Sequence, residues 1–245
     1  RWVPYEGKLL ATSNANNPFS MNQGRTLLNG TLQVTDTAIT ADGAIEWSDA
    51  KLTSENFTLT DKDIMTPSGN LEVKSGGKQV TFSVNDVAME VDMDKNYGTF
   101  TSNSEDNFID LYYNAYRVNI REFQWDIDAR RLYFRVPEGQ KDMTFYSSNP
   151  EQENLSFNSG SADYDMSTSA LEVREIPFID VADSRLFPNV DTLYIKQNGQ
   201  LTKLEGCSLE SPRESTKHYF EHVGFTIKGS NQGNGSGDFI YLGSD

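Results

Sequence analysis

Three pairs of aspartates, each separated by one apolar residue, are the clearest candidates for ligand chemistry in this sequence. They lie in the fragments 91–94, 125–128 and 162–165. Side chains two positions apart on a strand point to one face, so each pair offers two carboxylates to Ca²⁺, which takes roughly six to eight oxygen ligands. Neither the EF-hand spacing nor a Gly-Gly-x-Gly-x-Asp repeat is present. The pattern favours solvent-facing strand residues, which discourage edge pairing, over a calcium site.

Two histidines, His218 and His222, are separated by four positions. This spacing binds zinc on a helix, but here Glu221 stands directly before the second histidine, unlike His-Glu-x-x-His. The residues around them alternate as a strand does, which favours two exposed strand histidines. The single cysteine, Cys207, excludes both an internal disulfide and a cysteine-based zinc site. The sequence predicts no metal and no cofactor.

Nucleophilic catalysis finds no support in the sequence. Gly235-Ser236-Gly237 lacks the Gly-x-Ser-x-Gly elbow and does not lie at a strand-to-helix turn. A carboxylate pair for glycoside hydrolysis can come from distant positions, and acidic residues are too abundant for any pairing to be informative. No catalytic residue is assigned, and a non-enzymatic protein is favoured over an enzyme.

Aromatic residues form one cluster that could contact a ligand. Tyr112 and Tyr113 lie near a predicted turn, and Trp125 follows shortly after. Exposed aromatic platforms stack on sugars or bind partner proteins, whereas most aromatic side chains in β-proteins belong to the core. These three are the candidate ligand-facing residues, with a core role as the alternative.

The elements that position these residues are predicted to be strands. Apolar residues alternate with polar ones from Thr31 onward, and the phase of this alternation flips at Asn85-Asp86, which indicates a turn or bulge between two strands. Gly and Asn clusters mark turns elsewhere. They are found at 42–43, 68–70, 75–77, 96–98, 159–160 and 198–199. A flexible or hairpin-tip loop is predicted at 229–237.

The aspartate fragments also suggest a degenerate repeat. They begin 34 and then 37 residues apart, a spacing typical of solenoids and arrays. The predicted fold is all-β, an elongated stack of short strands, solenoid-like or a folded-over sheet, with almost no helix; a β-sandwich is the alternative. The predicted regions are an irregular segment at 1–30, a repetitive β region at 31–175 and a C-terminal β region at 176–245, continuous with the preceding one.

Composition limits the class of protein. The formal net charge of −15 disfavours nucleic-acid binding. Hydrophobic residues make up 36% of the chain, a low share that suits a thin sheet structure. No run of apolar residues is long enough to span a membrane as a helix. The sequence opens at Arg1 without an initiator methionine or signal peptide, which predicts a processed or excised segment.

Several short patterns resemble segments of very large, poorly characterised β-rich envelope proteins of Bacteroidetes. The patterns lie at 180–188, 193–195, 199–204 and 235–239, with a further likeness at 42–47 and 51–52. They cover about half of the chain and contain no catalytic signature. The resemblance implies an exported protein, in the bacterial periplasm or at the outer membrane, whose partners are other segments of the same long chain or other envelope proteins.

A weaker likeness is to lipopolysaccharide-transport and AsmA-like stacked-strand proteins, which hold lipid in an apolar groove. Long aliphatic runs that would line such a groove are scarce here. The favoured function is a non-enzymatic structural or interaction segment of a larger envelope protein. The alternatives are a lipid-bridging or lipid-binding periplasmic module and a β domain that binds or acts on polysaccharide.

Overall fold

The computed structural model describes residues 2–3, 7–13, 16–47, 49–75, 79–104, 107–136, 142–215 and 218–241. Helix in these ranges is limited to three short 3-10 turns, Asn22–Gly24, Pro150–Gln152 and Gln197–Gly199. The prediction of an all-β fold with almost no helix is confirmed. No described helix has the length and apolarity needed to cross a membrane.

The chain divides into two compact units, residues 1–109 with 121–132 and residues 110–120 with 133–245. Strands β1 to β9 are Trp2–Val3, Lys8–Thr12, Phe19–Met21, Thr26–Val34, Ile39–Glu46, Ala50–Leu59, Asp63–Ser75, Gln79–Asp92 and Tyr97–Ser102. Strands β10 to β17 are Ile109–Leu111, Tyr116–Asn119, Glu122–Asp126, Arg131–Arg135, Met143–Ser147, Ser156–Ser159, Ser161–Asp165 and Ala170–Arg174. Strands β18 to β23 are Ile179–Val181, Ser184–Phe187, Leu193–Ile195, Leu204–Ser211, His218–Gly229 and Gln232–Ile240.

The first unit is an antiparallel meander. Consecutive strands from β3 to β9 pair with their neighbours, β2 also pairs with β4, and β9 pairs with β12. The segment predicted to be irregular, residues 1–30, contains β2, β3 and the beginning of β4. Its sequence is rich in Asn and polar residues, and pairing with β4 nevertheless holds residues 8–12 and 19–21 in strands.

Bulges interrupt the long strands of the first unit along one line, which we call the crease. The register shifts between Ala41 and Gly43 on β5 and around Gly69 on β7. On β8, Asp86 has a left-handed φ of 49°. The predicted break at Asn85-Asp86 is therefore a bulge within one strand of 14 residues, not a turn between two strands. Likewise, the predicted turns at 42–43 and 68–70 lie inside β5 and β7.

Apolar side chains from both sides of the crease form the core of the first unit. Phe100 on β9 stacks on Phe123 of β12 with 4.8 Å between ring centroids, and Phe123 also contacts Phe82 of β8 at 5.8 Å. Trp125 packs edge-on against Trp47, which follows β5, at 5.4 Å. The two-residue alternation of the sequence thus places one face of each strand in this core.

The second unit contains two sets of strands. In the first set, β14 pairs with β11 and β15, and β17 pairs with β16 and β20. The second set is a separate antiparallel sheet of five strands in the order β18, β19, β21, β22, β23. This five-stranded sheet begins at Ile179, close to residue 176, where the sequence predicts the start of the C-terminal β region. Cys207 is buried within it, and this burial raises the pKa of its thiol.

The glycine-rich run at 229–237 is a strand and not the predicted loop. Only Ser230 and Asn231 form the turn, and β23 begins at Gln232. A side chain at Gly233 or Gly235 would overlap the ring of Phe225 on β22, to within 2.4 Å and 2.6 Å. The glycines therefore leave room for an aromatic ring to lie across the strand.

Gln152 joins the five-stranded sheet to the rest of the second unit. Its buried amide accepts a hydrogen bond from Ser147 Oγ at 2.6 Å and donates one to the Gly199 carbonyl at 2.7 Å. Its own carbonyl accepts from the backbone N–H of Ser230 at 2.9 Å, in the β22–β23 turn. One short 3-10 turn thereby connects β14, the segment after β20 and the β22–β23 hairpin.

Candidate functional site

One aspartate of each predicted pair closes a hairpin turn. The Asp92 carboxylate accepts from the backbone N–H groups of Asp94 and Lys95 at 3.0 and 2.9 Å. Asp126 accepts from Ala129 N–H at 2.8 Å. Such side chain-to-backbone bonds replace a turn's missing backbone partners, so these carboxylates stabilise the turn after β8 and the turn after β12.

The third fragment, 162–165, uses its second aspartate for the same purpose. Asp165 accepts from Ser167 and Thr168 N–H at 2.8 and 3.0 Å, whereas Asp163 bonds to Arg135 and Arg174 at 2.6 and 2.8 Å. The turn-closing aspartates, Asp92, Asp126 and Asp165, are therefore 34 and then 39 residues apart. Among the described residues, no group of three or more His, Cys, Asp or Glu side chains is placed to hold a metal ion.

Replacing Asp165 by alanine is expected to lower the free energy of unfolding by about 1 kcal/mol, because two turn N–H groups lose their acceptor. Asparagine keeps the acceptor oxygen, so Asp165→Asn should stay close to the wild type. Urea unfolding of the three proteins measures the difference. Stabilisation of the wild type by Ca²⁺, lost in the asparagine variant, would contradict the structural role of this carboxylate.

A polar pocket of about 810 Å³ lies on the crease of the first unit. Its wall includes Asp42, Glu55 and Asp86 among serine, threonine, glycine and asparagine residues. The Asp86 carboxylate already accepts two hydrogen bonds within the protein, from Ser68 Oγ at 2.8 Å and from Asn103 Nδ2 at 2.9 Å. These bonds join the bulges of β7 and β8 to the end of β9, so this part of the wall maintains the crease.

The same hydrogen bonds, first from Asn103 and then from Ser68, hold the pKa of Asp86 below its ordinary value of 3.8. A lowered folded-state pKa means that the stabilisation is complete above the unfolded value and is lost as the pH falls through the folded value. We expect Asp86→Asn, which keeps an acceptor oxygen without a charge, to lose less stability than the wild type below about pH 4. Thermal unfolding midpoints measured from pH 7 to pH 2 test this, and parallel curves would contradict it.

The three predicted ligand-facing aromatics are not all at the surface. Trp125 is 2% exposed and belongs to the core of the first unit. Tyr112, in the turn between β10 and β11 of the second unit, is 53% exposed, and Tyr113 beside it is half-buried. The core alternative therefore describes Trp125, and Tyr112 is the exposed member of the three.

An apolar surface lies on the five-stranded sheet, where one row of side chains crosses all five strands. Paired in register, the row runs through Ile179, Leu186, Leu209, Phe220 and Phe239. The first two are buried, the next two are half-buried and Phe239 is 52% exposed. The apolar face is thus buried at β18 and exposed at β23. We call its exposed end, at Phe220 and Phe239, the aromatic edge.

Neighbouring rings extend the aromatic edge. His218 and Phe220 both lie against Phe239, with ring centroids 5.8 and 5.4 Å away. Tyr241, two positions beyond Phe239, is 76% exposed. Phe239 and Tyr241 follow a glycine-rich run that was predicted to be mainly loop. The two-residue spacing of the aromatics was the available signal for a strand face.

The two histidines lie on strand β22, as predicted, and both are exposed. The two rings have different contacts. His218 packs against Phe239 in the aromatic edge, whereas the ring of His222 contacts the Asp238 carboxylate at 3.0 Å. Ser236, between its two glycines, lies on the exposed strand β23.

A second polar pocket, of about 400 Å³, lies in the second unit and is lined by two aromatic rings, the buried Phe157 and the half-buried Phe178. The guanidinium of Arg185 covers one side of the Phe178 ring, 3.8 Å from its centroid. Asp180 holds that guanidinium through two hydrogen bonds of 2.8 and 3.0 Å. We call this the Phe178 pocket. Its other walls carry amide, hydroxyl and guanidinium groups, from Thr144, Asn154, Ser156, Asn158, Arg213, Ser230 and Asn231.

Comparison with known proteins gives this geometry no precedent. No protein-family model, curated protein sequence or solved structure matches the chain. Function must therefore be argued from the surfaces themselves.

Proposed function

We propose that this chain is a non-enzymatic interaction segment of a larger bacterial envelope protein, and that it binds a partner polypeptide through the aromatic edge. The observation that carries the proposal is the apolar row across the five-stranded sheet, which is buried at Ile179 and open to solvent at Phe239. The envelope assignment rests on the resemblance of the sequence patterns.

The aromatic edge has the properties of a binding surface. Phe239 and Tyr241 supply large contact areas with few rotatable bonds, and aromatic residues are enriched at protein interfaces. Phe220 and His218 support the Phe239 ring from the neighbouring strand, so less side-chain entropy is lost on binding. Contiguous exposed apolar surface of this kind marks interaction sites more often than isolated exposed residues do.

A photo-crosslinking amino acid tests the proposal directly. With p-benzoyl-phenylalanine at position 239, in cells of the native host, we expect a discrete covalent adduct with one polypeptide. The same amino acid at Thr37, an exposed turn residue of the first unit, is the matched control and should give no such adduct. The absence of any polypeptide adduct at position 239 would overturn the proposal.

The Phe178 pocket favours polysaccharide binding as a second candidate function. An aromatic ring beside amide and hydroxyl groups suits a sugar, which presents C–H groups on one face and hydroxyls at its rim. Phe178→Ala is expected to abolish retention of the protein on immobilised envelope polysaccharide, while Phe239→Ser should leave it unchanged. Equal retention of wild type and Phe178→Ala would remove this candidate.

Lipid bridging remains the alternative that the weaker sequence likeness suggests. It requires a continuous apolar groove, and the two pockets described above are lined mostly by polar groups. Mass spectrometry of lipids extracted from the intact native protein is the direct test, and stoichiometric acyl chains would favour bridging over the aromatic edge.

A further inference from the structure

The outer edge of β23 is a second part of the same surface. β23 pairs with β22 along one side, and no other described strand pairs with it. All of its residues except the last, Ile240, are exposed. A free strand edge presents a row of N–H and C=O groups that can pair with another chain.

The first six residues of β23, Gln232 to Gly237, lack the features that normally protect a strand edge. Protective edges carry charges, proline or a bulge, but residues Gln232 to Gly237 include neither a charged residue nor a proline. Both register shifts in the β22–β23 pair place the extra residue on β22: three positions separate Glu221 from Gly224, opposite two positions from Asp238 to Ser236. β23 itself therefore runs without a bulge and offers a regular ladder.

The side chains along this edge define what would pair with it. On one face, the glycines are followed by Phe239 and then Tyr241, which would contact apolar side chains of an added strand. On the other face, Asp238 stands directly opposite Glu221, and its carboxylate, which contacts the His222 ring, is 75% exposed. A cationic side chain on an added strand would lie next to this exposed carboxylate.

We propose that β23 is a strand-addition edge that accepts an extended segment of another polypeptide, in which basic and apolar residues alternate. This inference rests on the proposed function and specifies its partner, because the added strand would place its apolar residues against the aromatic edge. The net charge of −15 favours a basic segment over a second copy of this chain. Backbone pairing supplies affinity and the alternating side chains supply selectivity.

A synthetic octapeptide of alternating lysine and valine, blocked at both ends, is the probe, and alternating glutamate and valine is its control. Amide hydrogen exchange of the complete chain is followed by NMR as peptide is added. Strand addition should protect every second amide of β23, because successive N–H groups of a strand point to opposite sides. The glutamate peptide should bind at least about tenfold more weakly, since a glutamate would lie beside Asp238 in a chain with a net charge of −15.

Two charge-matched variants complete the test. Asp238→Lys is expected to weaken binding of the lysine peptide by about tenfold. Asp61→Lys changes the net charge equally at an exposed turn of the first unit and should have little effect. Equal binding of both peptides, or equal effects of both variants, would overturn the inference. Protection that depends on protein concentration without peptide would assign the edge to a second copy instead.

The outcomes separate this inference from the proposed function. A polypeptide crosslink at position 239 without protection of β23 amides would mean that a partner uses the aromatic edge without adding a strand. Loss of that crosslink overturns both, because the added strand has to pass beside Phe239.

Discussion

Replacing Gln152 by methionine is expected to lower the free energy of unfolding by about 3 kcal/mol. Methionine has a similar volume but no hydrogen-bonding amide, and Gln152 is only 4% exposed. The Ser147 hydroxyl would lose its acceptor while still accepting from Asn149 N–H, and the Gly199 carbonyl would lose its donor; each unsatisfied buried polar group costs about 1–3 kcal/mol. The loss should appear as a lower midpoint of urea unfolding with an unchanged slope.

Two variants bracket this effect. Ser147→Ala removes only one of the two bonds and should cost less than Gln152→Met. Glu151→Ala changes an exposed neighbour in the same 3-10 turn and should be nearly neutral. If Gln152→Met unfolded at the same midpoint as Glu151→Ala, the buried amide would not be what holds this 3-10 turn to β14 and to the segment after β20.

Much of the fold follows from local sequence patterns. The alternation of Val87, Met89 and Val91 places all three in the core of the first unit, because side chains of a strand alternate between faces. The histidine strand is predicted correctly for the same reason. Asp92 and Asp126 stand at true hairpin turns, where a short acceptor side chain replaces missing backbone partners.

The bulges could not be distinguished from turns by sequence. Gly, Asn and Asp tolerate positive φ in both, and only pairing with the next strand decides whether the chain reverses. Asp86, with its φ of 49°, continues in β8 because β7 pairs with the strand on both sides of it. The glycine-rich β23 is a strand for a similar reason, since the Phe225 ring fills the space that its missing side chains leave.

The sequence pattern also does not show which aromatic side chains are exposed. Trp125 and Phe239 both lie on strands with alternating side chains, but Trp125 packs against Trp47, which follows a strand distant in sequence. Phe239 lies on the last described strand of its sheet, where its ring contacts His218 and Phe220 of β22 and stays 52% exposed. Burial depends on such long-range packing, which the period of a strand does not encode. The candidate binding surface is therefore the aromatic edge and not Trp125, which is buried.

Gly30→Ala is expected to lower the free energy of unfolding by at least about 3 kcal/mol. Gly30 on β4 stands opposite Gly43 on β5, and the two backbones are in close contact at the crease. A Cβ atom on Gly30 would lie 1.8 Å from the Asp42 carbonyl oxygen, and one on Gly43 would lie 2.2 Å from the Asn29 carbonyl oxygen. Backbone atoms cannot rotate away as a side chain does, so β4 and β5 would have to separate.

Gly206→Ala is the matched control, because Gly206 has a positive φ of 68° but no atom within 4 Å of an added Cβ. Gly206→Ala should lower the free energy of unfolding by about 1 kcal/mol, through backbone strain alone. Urea unfolding of both variants separates crowding from strain, and equal losses would contradict the close approach at the crease. A larger loss for Gly30→Ala would show that the crease depends on two facing glycines, because any side chain there would force β4 and β5 apart.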